Sequence, residues 1–367
     1  MTVGLREAPL ARMFLFACLM DCTTPTLVSA WFPMKRVVIT DYLEPPAAIE
    51  SEVLHGVATV DCLLAKHTEA LYGKLGEVDG IILCHEVSMT SEVVAQLDQC
   101  KAVVRCGVGF DNIDLEAAGE KGIYVCNVPD YGVDEVADHA IAMALACNRG
   151  LIKAERTLRR GLEPWDMRAI QPIFRIAGAT MGIIGLGRIG SATAVRAKGL
   201  GMRVLAYDPY VRPGTDKVLG VSLVEWEDLL KTCDIISIHT PLTEETRCMI
   251  DAKALSLMKP SAIFVNTARG AVVDTDALAM ALREGRIAGA GVDVLPQEPA
   301  QASMPLVALW QEERQPPVNL LMTPHTAFYS DQGLVEMRRK AAEELKRVLT
   351  GQSPKNCVNA HFLPSGF

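Results

Sequence analysis

Met181-Gly182-Ile183-Ile184-Gly185-Leu186-Gly187-Arg188-Ile189-Gly190 is the stretch on which the fold turns. Met181 to Ile184 form an apolar run that reads as a buried strand. The run passes directly into a Gly-x-Gly-x-x-Gly turn, and residues 191–200 (SATAVRAKGL) then read as a helix. In such a turn Gly185 allows the tight bend, Gly187 lets the backbone approach a pyrophosphate, and Gly190 lets helix and strand pack closely. The pyrophosphate would sit on the helix N-terminus, where unpaired N–H groups point outward. A glycine-rich turn alone is an ordinary βα connection. Here a second strand follows, RVLAYD at 203–208, ending on Asp208 about twenty residues past the turn. A carboxylate at that place accepts both ribose hydroxyls of NAD and repels the 2′-phosphate of NADP.

The same alternation extends in both directions. Downstream come WEDLLK, CDIISIHT, AIFVNTA, TDALAMALREG, AGAGVDV and NLLMTP; upstream, from Lys35 to Asn127, come RVVIT, AAIESEVL, VATVD, TEALYGKL, DGIILC, SEVVAQL, AVVRC, LEAAGEKG and IYVCN. Strands alternating with helices imply βαβ units, parallel sheets and right-handed crossovers. Between the two series, residues 133–161 (VDEVADHAIAMALACNRGLIKAERTLRRG) read as one long or two consecutive helices and a plausible hinge element. The charged amphipathic stretch LVEMRRKAAEELKRVLTG at 334–351 is expected to cross back to the first series. The expected fold is α/β with two Rossmann-like or flavodoxin-like parallel-sheet domains. Residues 34–132, completed by 327–361, form one, and a nucleotide-binding domain at 133–326 is inserted into it.

Residues 1–33 stand apart as an N-terminal extension. Met13 to Met20 (MFLFACLM) is apolar, but Asp21 breaks it, which is too short for a bilayer span and marginal for a signal peptide. The simpler reading starts the folded domain at Met34. The formal net charge of -8 and the lack of a dense Lys/Arg block argue against attraction to nucleic acid or anionic lipid. Eleven scattered cysteines without a Cys-x-x-Cys pair fit free thiols in a reducing, cytoplasmic setting better than a disulfide framework or a zinc site, and no bound metal is expected.

Three polar residues closely follow strand-like runs of the second series: Arg269 in NTARG, Glu298 in DVLPQEP and His325 in TPHTA. Ligands of open α/β sheets bind outside the carboxyl ends of the strands. A guanidinium there can hold a carboxylate bidentately while polarising the adjacent carbonyl. A carboxylate on one imidazole nitrogen fixes the tautomer and raises the pKa, so that the other nitrogen can move a proton near neutral pH. Singly, Arg269 reads as a surface residue and Glu298 and His325 as satisfied structural residues; jointly, beside a nucleotide turn, they read as a catalytic set. Asp293 is either a turn residue or an acceptor for the nicotinamide carboxamide. The loop from Arg105 through Gly107, Val108 and Gly109 reads as a turn whose backbone N–H groups could receive a substrate carboxylate.

Taken together, GIIGLGRIG, VNTARGAVVD, DVLPQEP and TPH resemble the D-isomer-specific 2-hydroxyacid dehydrogenase family over Met34 to about Asn359. VRCGVGFDNID, VCNVPDYGVDEVADHAIAMAL, LAYDPY, TPHTAFYSDQ and KNCVN resemble its C-terminal-binding-protein branch. The resemblance implies NAD-dependent oxidoreduction of a CH–OH group, in which Arg269 binds and polarises a small 2-oxo or 2-hydroxy acid, Glu298 supports the imidazole, and His325 donates and accepts the proton. It also implies that Val108, Ile184, Gly185, Leu186, Gly187, Arg188, Ile189, Gly190, Asp208, Thr240, Pro241, Thr246, Thr267, Ala268, Arg269, Asp293 and His325 surround NAD, and that Arg105, Val108 and Gly109 lie near the substrate carboxylate. Phe328 stands where the branch has tryptophan, which keeps an aromatic wall on the substrate and removes the indole N–H. A homodimer through the nucleotide domains is implied. Two other functions fit the motifs: an NADH-sensing corepressor dimer with little turnover, and oxidation of a non-carbon oxyanion such as phosphite.

Overall fold

Apolar, β-branched runs between glycine and proline breaks build two parallel sheets. The structure, a computed structural model, describes residues 34–313, 316–364 and 366, so the expectations for residues 1–33 lie outside the described residues.

The first series runs β1 (Lys35–Ile39), α1 (Ala48–Val53), β2 (Ala58–Cys62), β3 (Gly80–Leu83), α2 (Ser91–Val94), β4 (Ala102–Arg105), α3 (Leu115–Glu120) and β5 (Tyr124–Cys126). Its five strands lie in the order β2-β1-β3-β4-β5, and every pair is parallel. Val37, Val38 and Ile39, like Ile81, Ile82 and Leu83, are fully buried, as expected of strands covered on both faces. The TEALYGKL stretch does not form the expected helix: one 3-10 turn, Thr68–Leu71, ends at Gly73, which takes φ +72.

Two consecutive helices follow, α4 (Val133–Asn148) and α5 (Leu151–Arg160), separated by Gly150 in the left-handed region. The second series then runs β6 (Thr180–Ile184), α6 (Arg188–Gly199), β7 (Arg203–Tyr207), α7 (Thr215–Leu219), β8 (Ser222–Leu223), α8 (Trp226–Thr232), β9 (Ile235–Ile238), α9 (Ala252–Leu257), β10 (Ile263–Asn266), α10 (Thr275–Arg283), β11 (Gly289–Val292), α11 (Pro305–Gln311) and β12 (Leu320–Met322). The all-parallel order β12-β11-β10-β9-β6-β7-β8 reverses direction between β9 and β6, creating a crevice at their carboxyl ends. Helix α4 packs on this sheet: a Cβ on Gly291 of β11 would lie 2.7 Å from Met143.

The last helix, α12 (Asp331–Leu349), packs on the first sheet. Leu345 approaches β3 so closely that a Cβ on Gly80 would lie 2.7 Å from its Cδ1. Buried Glu50 of α1 receives a bidentate pair of 2.7 Å bonds from Arg338 of α12. Removing one partner of such a buried pair leaves an uncompensated charge and costs about 3–5 kcal/mol. Among the described residues, no helix is long and apolar enough to cross a membrane.

Candidate active site

The fingerprint turn forms as its spacing demands. Gly185 takes φ +89 with His239 of the β9 loop against it, so a Cβ there would sit 2.9 Å from that backbone. A Cβ on Gly190 would meet the Gly185 carbonyl at 2.0 Å, whereas one on Gly187 would find nothing within 4 Å. Gly185 is therefore required by its left-handed turn and the β9 loop against it and Gly190 by strand-helix packing, while Gly187 leaves the N-terminus of α6 open. Asp208, at the end of β7, accepts from the Leu186 and Tyr210 amides, each at 2.8 Å. Those bonds use one lone pair on each carboxylate oxygen and leave the others over.

A cleft of about 520 Å³ faces this turn. From the second series it is lined by Gly187, Arg188, Ile189, Thr240, Pro241, Thr267, Ala268, Arg269, Asp293 and His325, and from the first by Arg105, Val108 and Gly109, with Phe328 at the entry to α12. Ile184, Gly185, Leu186, Gly190 and Asp208 shape the turn without lining the cleft. Thr246 does not reach it either; its hydroxyl donates to the Pro241 carbonyl at 2.6 Å and so folds the 240–246 loop. The Thr267 hydroxyl is buried in the wall with no partner among the described residues, a polar atom left for a ligand. With the open α6 terminus and the Asp208 carboxylate, it fits a dinucleotide.

Arg269, Glu298 and His325 converge at one edge of the cleft. Buried Asn266 shapes the first loop: its amide donates to the Arg269 carbonyl at 2.9 Å and its Oδ1 accepts from the Ala268 N–H at 3.0 Å. Glu298 accepts from the Leu295 N–H at 2.8 Å through Oε1 and from His325 Nδ1 at 2.7 Å through Oε2. Burial works to raise the Glu298 pKa, but the hydrogen bond and charge of His325 outweigh it and hold the carboxyl below its ordinary range. The stability that this ionised form contributes is present above the ordinary carboxylate pKa and is lost as pH falls through the depressed native value. With Nδ1 engaged, Nε2 is the ring nitrogen left for the cleft.

His325 stands at φ +53, a conformation that is costly for a side-chain-bearing residue. Asp293 holds it there. Its Oδ1 accepts from the Thr323 hydroxyl at 2.5 Å and the Thr326 N–H at 2.9 Å, its Oδ2 from the Ala327 N–H at 3.0 Å, and its carbonyl from the His325 N–H at 2.8 Å. Because Thr323 spends its proton on Asp293, His139 of α4 must donate from Nε2 in their 3.1 Å contact. One lone pair of Oδ2 remains for a carboxamide, so the clamp and a nicotinamide contact are compatible.

The substrate-side loop is occupied by guanidinium groups. Arg105 folds over Gly107, where a Cβ would lie 1.6 Å from its Nη1, and donates to the Cys106 carbonyl at 2.6 Å. Its Nε is buried without a partner among the described residues. Arg269 reaches across the cleft onto Gly109, where a Cβ would lie 1.3 Å from its Nη2, and donates from Nε to Asp111 at 2.9 Å. Burial opposes ionisation of Asp111, yet the charge and hydrogen bond of Arg269 keep its pKa below the usual value. Asp111 is a residue that sequence reasoning missed, and only proximity in three dimensions reveals it. So are Asn127, which donates to the Val108 carbonyl at 2.6 Å, and His85, which lines the cleft with its ring 4.7 Å from that of Tyr42. Burial and the neighbouring Arg105 lower the His85 pKa. Phe328 sets its ring edge-on to His325 at 6.3 Å and to Tyr131 at 6.4 Å.

Residues 141–327 match the family described as D-isomer specific 2-hydroxyacid dehydrogenase, NAD binding domain. Similar proteins include a glyoxylate reductase of Thermococcus litoralis, 39% identical over 301 residues that cover 80% of this chain and 88% of that protein. A D-3-phosphoglycerate dehydrogenase of Methanocaldococcus jannaschii is 36% identical over 332 residues and 90% of this chain, which spans 60% of that protein's own length. The crystal structure of D-lactate dehydrogenase from Aquifex aeolicus with NAD and lactic acid superposes with a TM-score of 0.77 at 30% identity, covering 86% of this chain and 96% of that one. With the nucleotide turn, the two parallel sheets and the matched segment in agreement, the chain belongs to the NAD-dependent D-isomer specific 2-hydroxyacid dehydrogenase family.

Proposed function

We propose that this chain interconverts a small 2-oxo acid and the corresponding D-2-hydroxy acid, with His325 as the proton donor and acceptor. The observation that carries this reading is the 2.7 Å bond between Glu298 and His325 Nδ1 at the edge of a cleft that Arg269 also lines. When bound, NADH supplies the hydride, and the residues that would hold it are the N-terminus of α6, Asp208, Thr267 and Asp293. In reduction, Arg105 and the backbone at Val108 and Gly109 hold the carboxylate. Arg269 polarises the carbonyl and stabilises the developing oxyanion. Glu298 stabilises the imidazolium of His325 before the step; His325 then delivers its Nε2 proton to the forming alkoxide and is left as the neutral Nδ1–H tautomer held by Glu298.

Phe328, Tyr131 and His85 border the space left for the acid's side chain and set its size. The C-terminal-binding-protein likeness rests on the sequence motifs, and the full Arg/Glu/His set favours turnover over a purely sensory role. The proposed domain boundaries are 34–132 with 327–361, around a nucleotide-binding domain at 133–326. A homodimer is proposed through the segment 151–174: α5 buries none of its residues, and Leu151, Leu162, Trp165, Met167 and Phe174 are all more than half exposed. A Trp165→Asp change should leave a monomer by light scattering.

The test is NADH oxidation across glyoxylate, pyruvate, hydroxypyruvate, phenylpyruvate and longer 2-oxo acids, with chiral analysis of the product. Turnover giving the D-isomer supports the proposal. Tight NADH binding with no reduction of any of them would overturn it.

A further inference from the structure

The backbone places Cys126 and Cys357 opposite each other in an antiparallel bridge that joins the end of β5 to the segment after α12. The Val358 N–H donates to the Val125 carbonyl at 2.8 Å and the Asn127 N–H to the Asn356 carbonyl at 3.3 Å. Those bonds flank the cysteines rather than joining them, so the two form a non-hydrogen-bonded pair. Such pairs bring Cα atoms to about 4.5 Å, inside the window of about 4.4–6.8 Å that a disulfide spans.

Both sides of the pair are held. Glu344 of α12 accepts from the Lys355 and Asn356 amides at 2.5 and 2.7 Å, and buried Asn359 accepts from the Val125 N–H at 2.8 Å and donates to the Ile123 carbonyl at 2.9 Å. Cys126 is fully buried, whereas Cys357 is partly exposed. Proximity to Cys126 pulls the Cys357 thiol down to about 6, while Cys126 is pushed upward by its partner and by burial. The arrangement has an accessible attacking thiol and a buried resolving thiol.

We propose that Cys126 and Cys357 form a thiol-disulfide exchange site for low-molecular-weight disulfides of the glutathione type. The Cys357 thiolate attacks one sulfur of the small disulfide, forming a mixed disulfide and releasing one thiolate. Cys126 attacks Cys357 Sγ, its proton passing to the departing thiolate, so that the intramolecular bond forms and the second small thiol is released. The protein dithiol is oxidised by two electrons, the small disulfide is reduced to two thiols, and excess thiol reverses both steps. The bond would tie the C-terminal segment to the strand whose next residue, Asn127, holds the Val108 carbonyl.

The test incubates the full chain with oxidised glutathione, quenches free thiols by alkylation, and maps peptides by mass spectrometry, with exposed Cys248 as an internal control. A Cys126–Cys357 cross-link with the loss of two hydrogens is expected, reversed by dithiothreitol. In Cys126→Ser, the mixed disulfide at Cys357 should persist instead. Two wild-type results would overturn the proposal: Cys357 alkylated while Cys248 carries glutathione, or a stable mixed disulfide at Cys357 with Cys126 free.

Discussion

The nucleotide edge and the substrate edge of the cleft are built by different means. On the nucleotide edge the backbone dominates: Gly185 and Gly190 are fixed by contacts with their own βα unit and the adjacent β9 loop, and Asp208 bonds amides near it. On the substrate edge, side chains from one sheet lean on loops of the other. Arg269 leaves β10 to rest on Gly109 and pair with Asp111, which lies 158 residues earlier in the chain. A locally built edge should tolerate change on the opposite edge, and an edge built across the cleft should respond to changes on either sheet.

Substitutions can break this contrast, and the largest effect is expected at His325, the proposed proton donor. His325→Ala should lower kcat by roughly 10²- to 10⁴-fold, the contribution of a positioned general acid, while NADH affinity, measured by fluorescence titration, stays close to wild type. A comparable loss of NADH binding would mean that the two edges are not independent. Next, Arg269→Lys should reduce kcat/KM for the 2-oxo acid about 10- to 100-fold, because a point charge cannot reproduce a fork that serves both Asp111 and the substrate carbonyl.

On the other edge, Asp208→Ser should weaken NADH and admit NADPH, narrowing the preference between them about tenfold, the value of one charge-assisted hydrogen bond, with the KM of the acid unchanged. Equal wild-type rates with the two cofactors would remove the role given to Asp208. The smallest effect is expected at Asp111. Asp111→Asn keeps the size and one acceptor but loses the charge, and should raise the acid's KM a few-fold, as for a half-exposed ion pair, with kcat and NADH binding held. Asp111→Glu should recover part of that loss.

The contrast also marks what can be read without a structure. The glycine turn, Asp208 and the three polar strand ends are legible because each depends on residues within one βα unit, where spacing alone places the side chain. Asp111 beneath Arg269, Asn127 on the Val108 carbonyl and the His139–Thr323–Asp293 chain are not, because each joins segments that meet only after both sheets have formed. Asp293 shows the mixed case: its position at a strand end is visible in the sequence, but its grip on the strained His325 loop is not. The short helices α9 and α11 and the two-residue strand β8 also escaped the sequence reading, having too few residues to display a period.

Turnover in the proposed mechanism depends most on the pairing of Glu298 with His325, and the rate of NADH-linked reduction in a charge-neutral variant tests this directly. Glu298 stays ionised throughout the neutral range because its own pKa is depressed. Glu298→Gln keeps an acceptor for Nδ1 but removes the negative charge that stabilises the proposed imidazolium donor, so kcat for the 2-oxo acid at neutral pH should fall about tenfold, with NADH affinity unchanged. Equal kcat for wild type and Glu298→Gln would contradict the pairing as the support of the proton donor.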